Sequence, residues 1–205
     1  MTRYSQHEEQ AAILEAFDQK KPPNLNRFLD IGAYIPKDLS NTRALYELGW
    51  SGVMIEPSPA PMCALLREYG DDPRITLIQA AVGVPDMPRL LKLHASEDCV
   101  STIVDKEYEN FKLQRNSVFN GSVLVPRITL EEIGDQFQGF DFVSIDAEGI
   151  SAALFLHALE IGWNPHCFCV ENDGEALSQM LSMALRSGYS ATYANGLNTV
   201  FVRRG

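Results

Sequence analysis

"RFLDIGAYIPKDLS", Arg27 to Ser40, is the stretch on which the reading of this chain turns. Phe28 and Leu29 open a short apolar run that belongs in a buried strand, and the run then meets an acid, Asp30, a glycine, Gly32, and a proline, Pro36. A buried strand that brings a carboxylate to a turn needs something there to receive it. The same arrangement recurs further along: Glu56 follows "VMI", Asp146 follows "FVSI" and Glu171 follows "FCV". Between these strands lie helical segments, "NTRALYELG", "PAPMCALLREYG", "ISAALFLHALEIG" and "EALSQMLSMALRSG", most of them closed by a glycine.

Short apolar strands alternating with helices predict a mostly parallel sheet covered on both faces, that is, a doubly wound α/β domain. "YSATYANGLNTVFVRR" reads as a C-terminal hairpin around Asn195-Gly196, so its second strand runs antiparallel to its first. "RITLIQAAV" reads as one more strand. "SQHEEQAAILEAFDQ" has helical spacing at Ala12, Leu14 and Phe17 and is ended by Pro22-Pro23, giving an N-terminal helix within residues 1–22. Residues 83–139 are longer than one crossover helix requires. They hold two strand-like pieces, "PRLLKLHAS" and "GSVLVPRIT", around a helix in "STIVDKEYENFKLQR". The segment 84–126 is expected to be a lid or substrate-binding insertion within one domain, 1–205, with a packing embellishment as the equal alternative.

Composition narrows the partners. With 45% hydrophobic and 21% charged residues the chain is an ordinary globular sequence, and no apolar run is long enough to span a bilayer. The N-terminus is polar and acidic, unlike a signal or transit peptide, so a cytoplasmic location is expected. A formal net charge of −10 argues against a nucleic-acid partner, which requires clustered Lys and Arg. The four cysteines, Cys63, Cys99, Cys167 and Cys169, form no CxxC pair and read as small buried apolar residues.

In open parallel sheets, ligands bind outside the carboxyl ends of the strands. Each acid there could simply cap the next helix; four together suit a ligand that is cationic or rich in hydroxyls. A nicotinamide dinucleotide brings a pyrophosphate, which needs a glycine-rich turn with free N–H groups. "DIGAYIP" supplies one glycine, and Tyr34, Ile35 and Pro36 are bulky or lack a donor. S-adenosylmethionine carries a sulfonium and an ammonium and no phosphate. Asp30 can face its cationic part, Gly32 lets the backbone pass close, and Glu56 can accept from both ribose hydroxyls.

Taken in order, "FLDIGA", "GWSGVMIEPSP", "LIQAAVG", "STI", "ITLEEI", "FDFVSIDAEG" and "CVEND" resemble the FkbM-like family of class I S-adenosylmethionine-dependent methyltransferases, over roughly Phe28 to Val202. The resemblance implies a seven-stranded Rossmann-like sheet and methylation of a hydroxyl, often on a sugar or another secondary metabolite. It puts Asp30, Gly32 and Ala33 in the cofactor loop, makes Glu56 the ribose ligand, and brings Ala80 and Ala81 near the adenine. Ser101 and Thr102 match a small polar pair near the cofactor, and "IDAEG" places Asp146 and Glu148 beside the transferred methyl group. The sequence departs from the family where Tyr34-Ile35-Pro36 stands in place of the commoner Asn-x-Gly.

For a base that takes the acceptor's proton, His94 is the histidine of the insertion, and Asp146 and Glu148 are the carboxylates at hand. Asp146, Glu148, Glu171, Asn172 and Asp173 offer oxygen ligands of the kind Mg²⁺ takes, but helix capping is the stronger account of them, so no metal is assigned. Two other readings stand beside O-methyl transfer: a protein that binds the cofactor without catalysis, and, with less support from its glycines, a nicotinamide-dependent oxidoreductase.

Overall fold

The computed structural model describes residues 2–18, 25–114, 116–172 and 176–204. Seven strands form the main sheet: β1 (Arg27–Ile31), β2 (Ser51–Ile55), β3 (Ile75–Ile78), β7 (Phe142–Ile145), β8 (Cys167–Glu171), β9 (Tyr189–Ala194) and β10 (Asn198–Arg203). Their order is β3-β2-β1-β7-β8-β10-β9. β1 pairs in parallel with β2 on one side and β7 on the other, and β7 pairs in parallel with β8. β10 runs antiparallel to both β8 and β9, as the hairpin reading predicts. The direction of winding reverses between β1 and β7, and this is where such sheets open a crevice.

Side-chain alternation explains the two layers. Leu29, Ile31, Val53, Ile55, Val143 and Ile145 face one way, onto α5 (Leu130–Phe137), α6 (Ser151–Glu160) and α7 (Leu177–Arg186). Phe28, Met54, Phe142 and Cys169 face the other way, onto α1 (Glu9–Asp18), α2 (Arg43–Glu47) and α3 (Pro59–Tyr69). Each fully buried Phe or Ile here contributes about 1.5–3 kcal/mol of transfer free energy, so the middle strands anchor the sheet. Among the described residues no helix is long and apolar enough to cross a membrane.

Four details differ from the sequence reading. The helix expected from Ser5 begins at Glu9, because Ser5 to Glu8 turn across the loop after β1; Ser40 N donates to Tyr4 O at 3.1 Å. The fully buried positions of α1 are Glu9, Gln10, Ile13 and Ala16, with the expected Ala12, Leu14 and Phe17 half-buried against the same core, and Pro22-Pro23 lie outside the described residues. "RITLIQAAV" is not one strand: β3 stops at Ile78, and Ala81–Val82 forms β4 in a second sheet. Cys167 and Cys169 are buried, whereas Cys63 and Cys99 are exposed.

The second sheet, β4-β6-β5, joins β5 (Leu90–Ser96) antiparallel to β6 (Phe119–Ile128), with α4 (Asp105–Gln114) between them in sequence. Its small core is Ala81, Leu91, Leu93 and Val125. Thr102 is bridged to His94 by two backbone hydrogen bonds, of 2.9 and 3.2 Å, which fold residues 97–104 back against β5.

Candidate active site

The loop after β1 is built around a glycine that nothing larger can replace. Gly32 has φ +79, and a Cβ there would stand 1.8 Å from the Asp146 carbonyl oxygen. β1 and β7 are therefore close at the point where the sheet reverses. Gly32 N and Ala33 N both donate to Ile55 O, at 2.9 and 3.2 Å, which folds the loop over the end of β2. Tyr34 then takes φ +49, a left-handed conformation that suits Gly or Asn and costs a β-carbon-bearing aromatic residue free energy. This is the position at which the sequence departs from the commoner Asn.

Glu56, at the end of β2, is 5% exposed and fixed by two backbone donors. Ser58 N reaches its Oε1 at 2.6 Å and Tyr34 N reaches its Oε2 at 3.0 Å. Burial pushes its pKa up, and these two bonds oppose the rise. A carboxylate has about four lone-pair sites, so both oxygens can still accept from a ligand.

A cavity opens above these strand ends. Gly32, Tyr34, Glu56, Ala80, Ala81, Ser101, Thr102, Asp146 and Glu148 line it, nine of the residues singled out in the sequence. Ile55 and Val82 add apolar walls beside the two alanines, and the insertion contributes Leu93, Cys99 and Ile103 besides its Ser-Thr pair. Thr102 Oγ1 donates to the Glu148 backbone oxygen at 2.8 Å, tying the insertion to the turn after β7. Gly149 allows that turn with φ +94, and a Cβ there would meet Glu107 Cγ at 2.6 Å.

Asp146, Glu148 and Glu171 each offer a carboxylate oxygen within 4.8 Å of the others, and all three are half-buried. Ser151 links two parts of this group: Ala147 N donates to its Oγ at 2.8 Å, and Oγ donates to Glu171 Oε2 at 3.0 Å. Asp173 lies outside the described residues. The Cys99 thiol is pushed up to about 11, by burial first and then by the charges of Glu148, Asp146 and Asp98.

Three expected site residues stand elsewhere. Asp30 points away from the cavity, on the same sheet face as Phe28, and its carboxylate accepts from Thr42 Oγ1. Its pKa rises to about 6, through burial foremost, opposed by the Thr42 bond and reinforced by the charge of Glu56. Ala33 is packed in the core beneath the loop. His94 is not brought to the cavity. It is 4% exposed, its Nε2 pairs with Asp105 Oδ1 at 2.8 Å, its Nδ1 with Ser122 Oγ at 3.1 Å, and its ring stacks on Tyr108 at 4.0 Å. With both ring nitrogens engaged inside the insertion, His94 holds β5, β6 and α4 together, and a role as base is not carried forward.

Sequence reasoning missed the far wall. Gln6, Asn41, Leu197 and Asn198 also line the cavity. Gln6 arrives on the N-terminal turn, which is locked down by Glu9, a carboxylate 0% exposed. Glu9 Oε1 accepts from Asn195 Nδ2 at 2.7 Å and Asn198 Nδ2 at 3.1 Å, and Oε2 accepts from His7 N at 2.7 Å. Burial raises the Glu9 pKa, yet these bonds outweigh it and leave it below its ordinary value. The hairpin register alone could have pointed to Asn198, which pairs with Glu171.

Residues 30–159 match the sequence profile of the methyltransferase FkbM domain, more than half of the chain. No curated protein matches the chain in sequence. A methyltransferase FkbM from Methylobacillus flagellatus KT superposes with a TM-score of 0.50 at 17% identity over 86% of this chain, which spans 43% of that protein's chain. Precorrin-6y C5,15-methyltransferase from Geobacter metallireducens GS-15 superposes with a TM-score of 0.51 at 12% identity over 100% of this chain and 92% of its own. At these identities the two structures speak to the fold.

Proposed function

Because the chain belongs to the methyltransferase FkbM domain family, with the class I fold and S-adenosylmethionine as its cofactor, we propose that it methylates a hydroxyl group on a small-molecule acceptor, a sugar or another secondary metabolite. The observation that carries this reading is the meeting, in one cavity, of the Gly32 turn, the fixed acceptor Glu56 and the carboxylates Asp146 and Glu148. When bound, S-adenosylmethionine would supply an electrophilic methyl group to the acceptor oxygen and leave as S-adenosylhomocysteine, and the acceptor must give up its hydroxyl proton.

The chain's own residues divide the remaining work. Glu56 accepts from the ribose hydroxyls with the lone pairs that Ser58 N and Tyr34 N leave open. Ala80 and Ala81 give the adenine a flat apolar wall, and Ser101 and Thr102 close the cofactor from the insertion side. Gly32 and Ala33 shape the loop, and Asp30, whose carboxylate accepts from Thr42 Oγ1, adds negative charge beneath it. Asp146 and Glu148, grouped with Glu171, orient the hydroxyl and take its proton.

A rival reading, cofactor binding without turnover, draws on the left-handed Tyr34 in the altered loop. Two measurements test the proposal. Glu56→Ala removes charge-assisted bonds of about 1.5–3 kcal/mol each, so affinity for S-adenosylhomocysteine falls at least tenfold by calorimetry; an unchanged affinity in the folded variant removes Glu56 from the site. Methyl-labelled cofactor incubated with paired alcohols and amines delivers label to oxygen. Label on nitrogen alone would rule out O-methylation, and no transfer to any acceptor would favour the silent reading.

A further inference from the structure

One buried carboxylate takes no part in the chemistry above. Glu9 is 0% exposed, and a buried ion is tolerated only where hydrogen bonds replace its water. Its donors come from two distant turns: Asn195 and Asn198 Nδ2 on Oε1, and His7 N on Oε2. The first turn, residues 5–7, leads into α1; the second, 195–198, joins β9 to β10 and lies 186 and 189 residues from Glu9 at its two asparagines. Each turn presents one side chain to the cavity, Gln6 from the first and Leu197 from the second.

Both side chains are held from either flank. Ser5 Oγ donates to His7 O at 2.9 Å and accepts from Gln10 N at 3.1 Å, which pins the backbone on both sides of Gln6. Tyr4 O accepts from Ser40 N, so the same turn is tied to the loop after β1. In the hairpin, Asn195 Oδ1 accepts from Leu197 N at 2.7 Å and from Asn198 N at 2.6 Å. Asn172 N donates to Leu197 O at 2.7 Å from the end of β8. Gln6 is exposed and Leu197 half-buried, so neither is consumed by the core.

Their place along the sheet says what they meet. Glu56 at the end of β2, and Ala80 and Ala81 past β3, mark the ribose and adenine side, and Asp146 at the end of β7 marks the methyl group. Leu197 leads into β10, two strands beyond β7 and about 10 Å further from the adenine. The space beyond the methyl group is where an acceptor approaches. Gln6 and Leu197 also lie outside residues 30–159, the part of the chain that matches the family. We infer that Gln6 and Leu197 form the wall that recognises the acceptor, and that Glu9 is the positioning residue that holds both. A carboxamide donates and accepts, as a hydroxyl does, so Gln6 orients a neutral, hydroxyl-bearing acceptor while Leu197 packs on its carbon face. This rests on the methyltransferase reading above and deepens it.

A tethered hydroxyl tests this. In a Cys99→Ser background, Leu197→Cys is treated with 2-hydroxyethyl, 4-hydroxybutyl or 6-hydroxyhexyl methanethiosulfonate. S-adenosylmethionine is then added, and peptide mass spectrometry follows methylation of each adduct. Cys63, exposed on α3 outside the cavity, carries the same adduct as an internal control. At least one tether at position 197 is expected to be methylated at least tenfold faster than the adduct on Cys63. The rate should fall several-fold in Gln6→Ala and at least tenfold in Glu9→Gln, whose single side-chain oxygen cannot serve both turns. Ser5→Ala, a milder change that frees the Gln6 turn alone, should lower it several-fold. Affinity for S-adenosylhomocysteine should stay within twofold in all three. Unchanged rates in Glu9→Gln and Ser5→Ala would overturn the inference, as would a cofactor affinity that falls in step with the rate. So would an unmethylated adduct at position 197 in a protein that methylates free alcohols. Transfer to neither would sink the methyltransferase reading itself, and the inference with it.

Discussion

At the amino ends of the parallel strands, Asp141 is 7% exposed and its carboxylate accepts from Leu25 N at 2.8 Å, while its backbone oxygen accepts from His166 N and Cys167 N. Tyr189, just as buried, donates to Pro165 O at 2.7 Å. At the carboxyl ends, Asp30 is 4% exposed and carries a pKa raised to about 6, Glu56 is raised as well, and the Asn198 side-chain oxygen has no partner among the described residues. The amino ends bury polar groups in order to close the fold. The carboxyl ends bury them at a net loss of stability, which a fold tolerates where a ligand supplies the missing interaction. This contrast locates the functional end of the sheet without reference to any relative.

The largest expected effect is at Gly32. Gly32→Ala must move the Asp146 carbonyl, 1.8 Å from the new Cβ, and hold φ +79. A loss of about 3–5 kcal/mol is expected in denaturant unfolding, with cofactor binding lost. A stable Gly32→Ala protein would mean that β1 and β7 can separate there at little cost.

Asp30 gives the next effect, and its sign separates the two ends. Its folded pKa lies above the ordinary 3.8, so the stability it contributes is present at acidic pH and is lost as pH rises toward and through about 6. Asp30→Asn keeps an acceptor for Thr42 and removes the buried charge. It should stabilise the protein by on the order of 2 kcal/mol at pH 8, with the gain vanishing near pH 4, while weakening binding of the cationic cofactor. Destabilisation at pH 8 would place Asp30 with the structural acids such as Asp141.

His94→Ala loses two side-chain hydrogen bonds and the stack on Tyr108, about 2 kcal/mol, and S-adenosylhomocysteine affinity should stay within twofold. A large loss of turnover with unchanged stability would restore it as a base. Asp146→Asn keeps size and most hydrogen bonding, so Tm should barely move while turnover falls at least tenfold, about 1.4 kcal/mol of barrier. Normal turnover in both Asp146→Asn and Glu148→Gln would make these residues caps.

The sheet was legible because parallel strands buried on both faces are written as near-continuous apolar runs, such as "FVSI" and "CFCV", each leading to its acid. The break between Ile78 and Ala81 was not, since an apolar run does not say that its last residues change sheets. Glu56, Asp146 and Glu148 could be found because strand ends converge by topology. His94 could not, because its partners Asp105 and Ser122 come from 11 and 28 residues away. Gln6, Glu9 and Asn198 escaped for the same reason: a polar N-terminus gives no sign that it is locked 186 and 189 residues down the chain.

The central claim is that acids at the carboxyl ends of the strands make a site for a cationic, phosphate-free cofactor. Parallel calorimetric titrations with S-adenosylmethionine, S-adenosylhomocysteine and NAD test it most directly, at pH 5.5 and pH 8. Both sulfur ligands should bind and NAD should not, and the sulfonium should gain affinity over S-adenosylhomocysteine at pH 8, where Asp30, with its pKa near 6, is ionised. Binding of NAD alone would contradict the account.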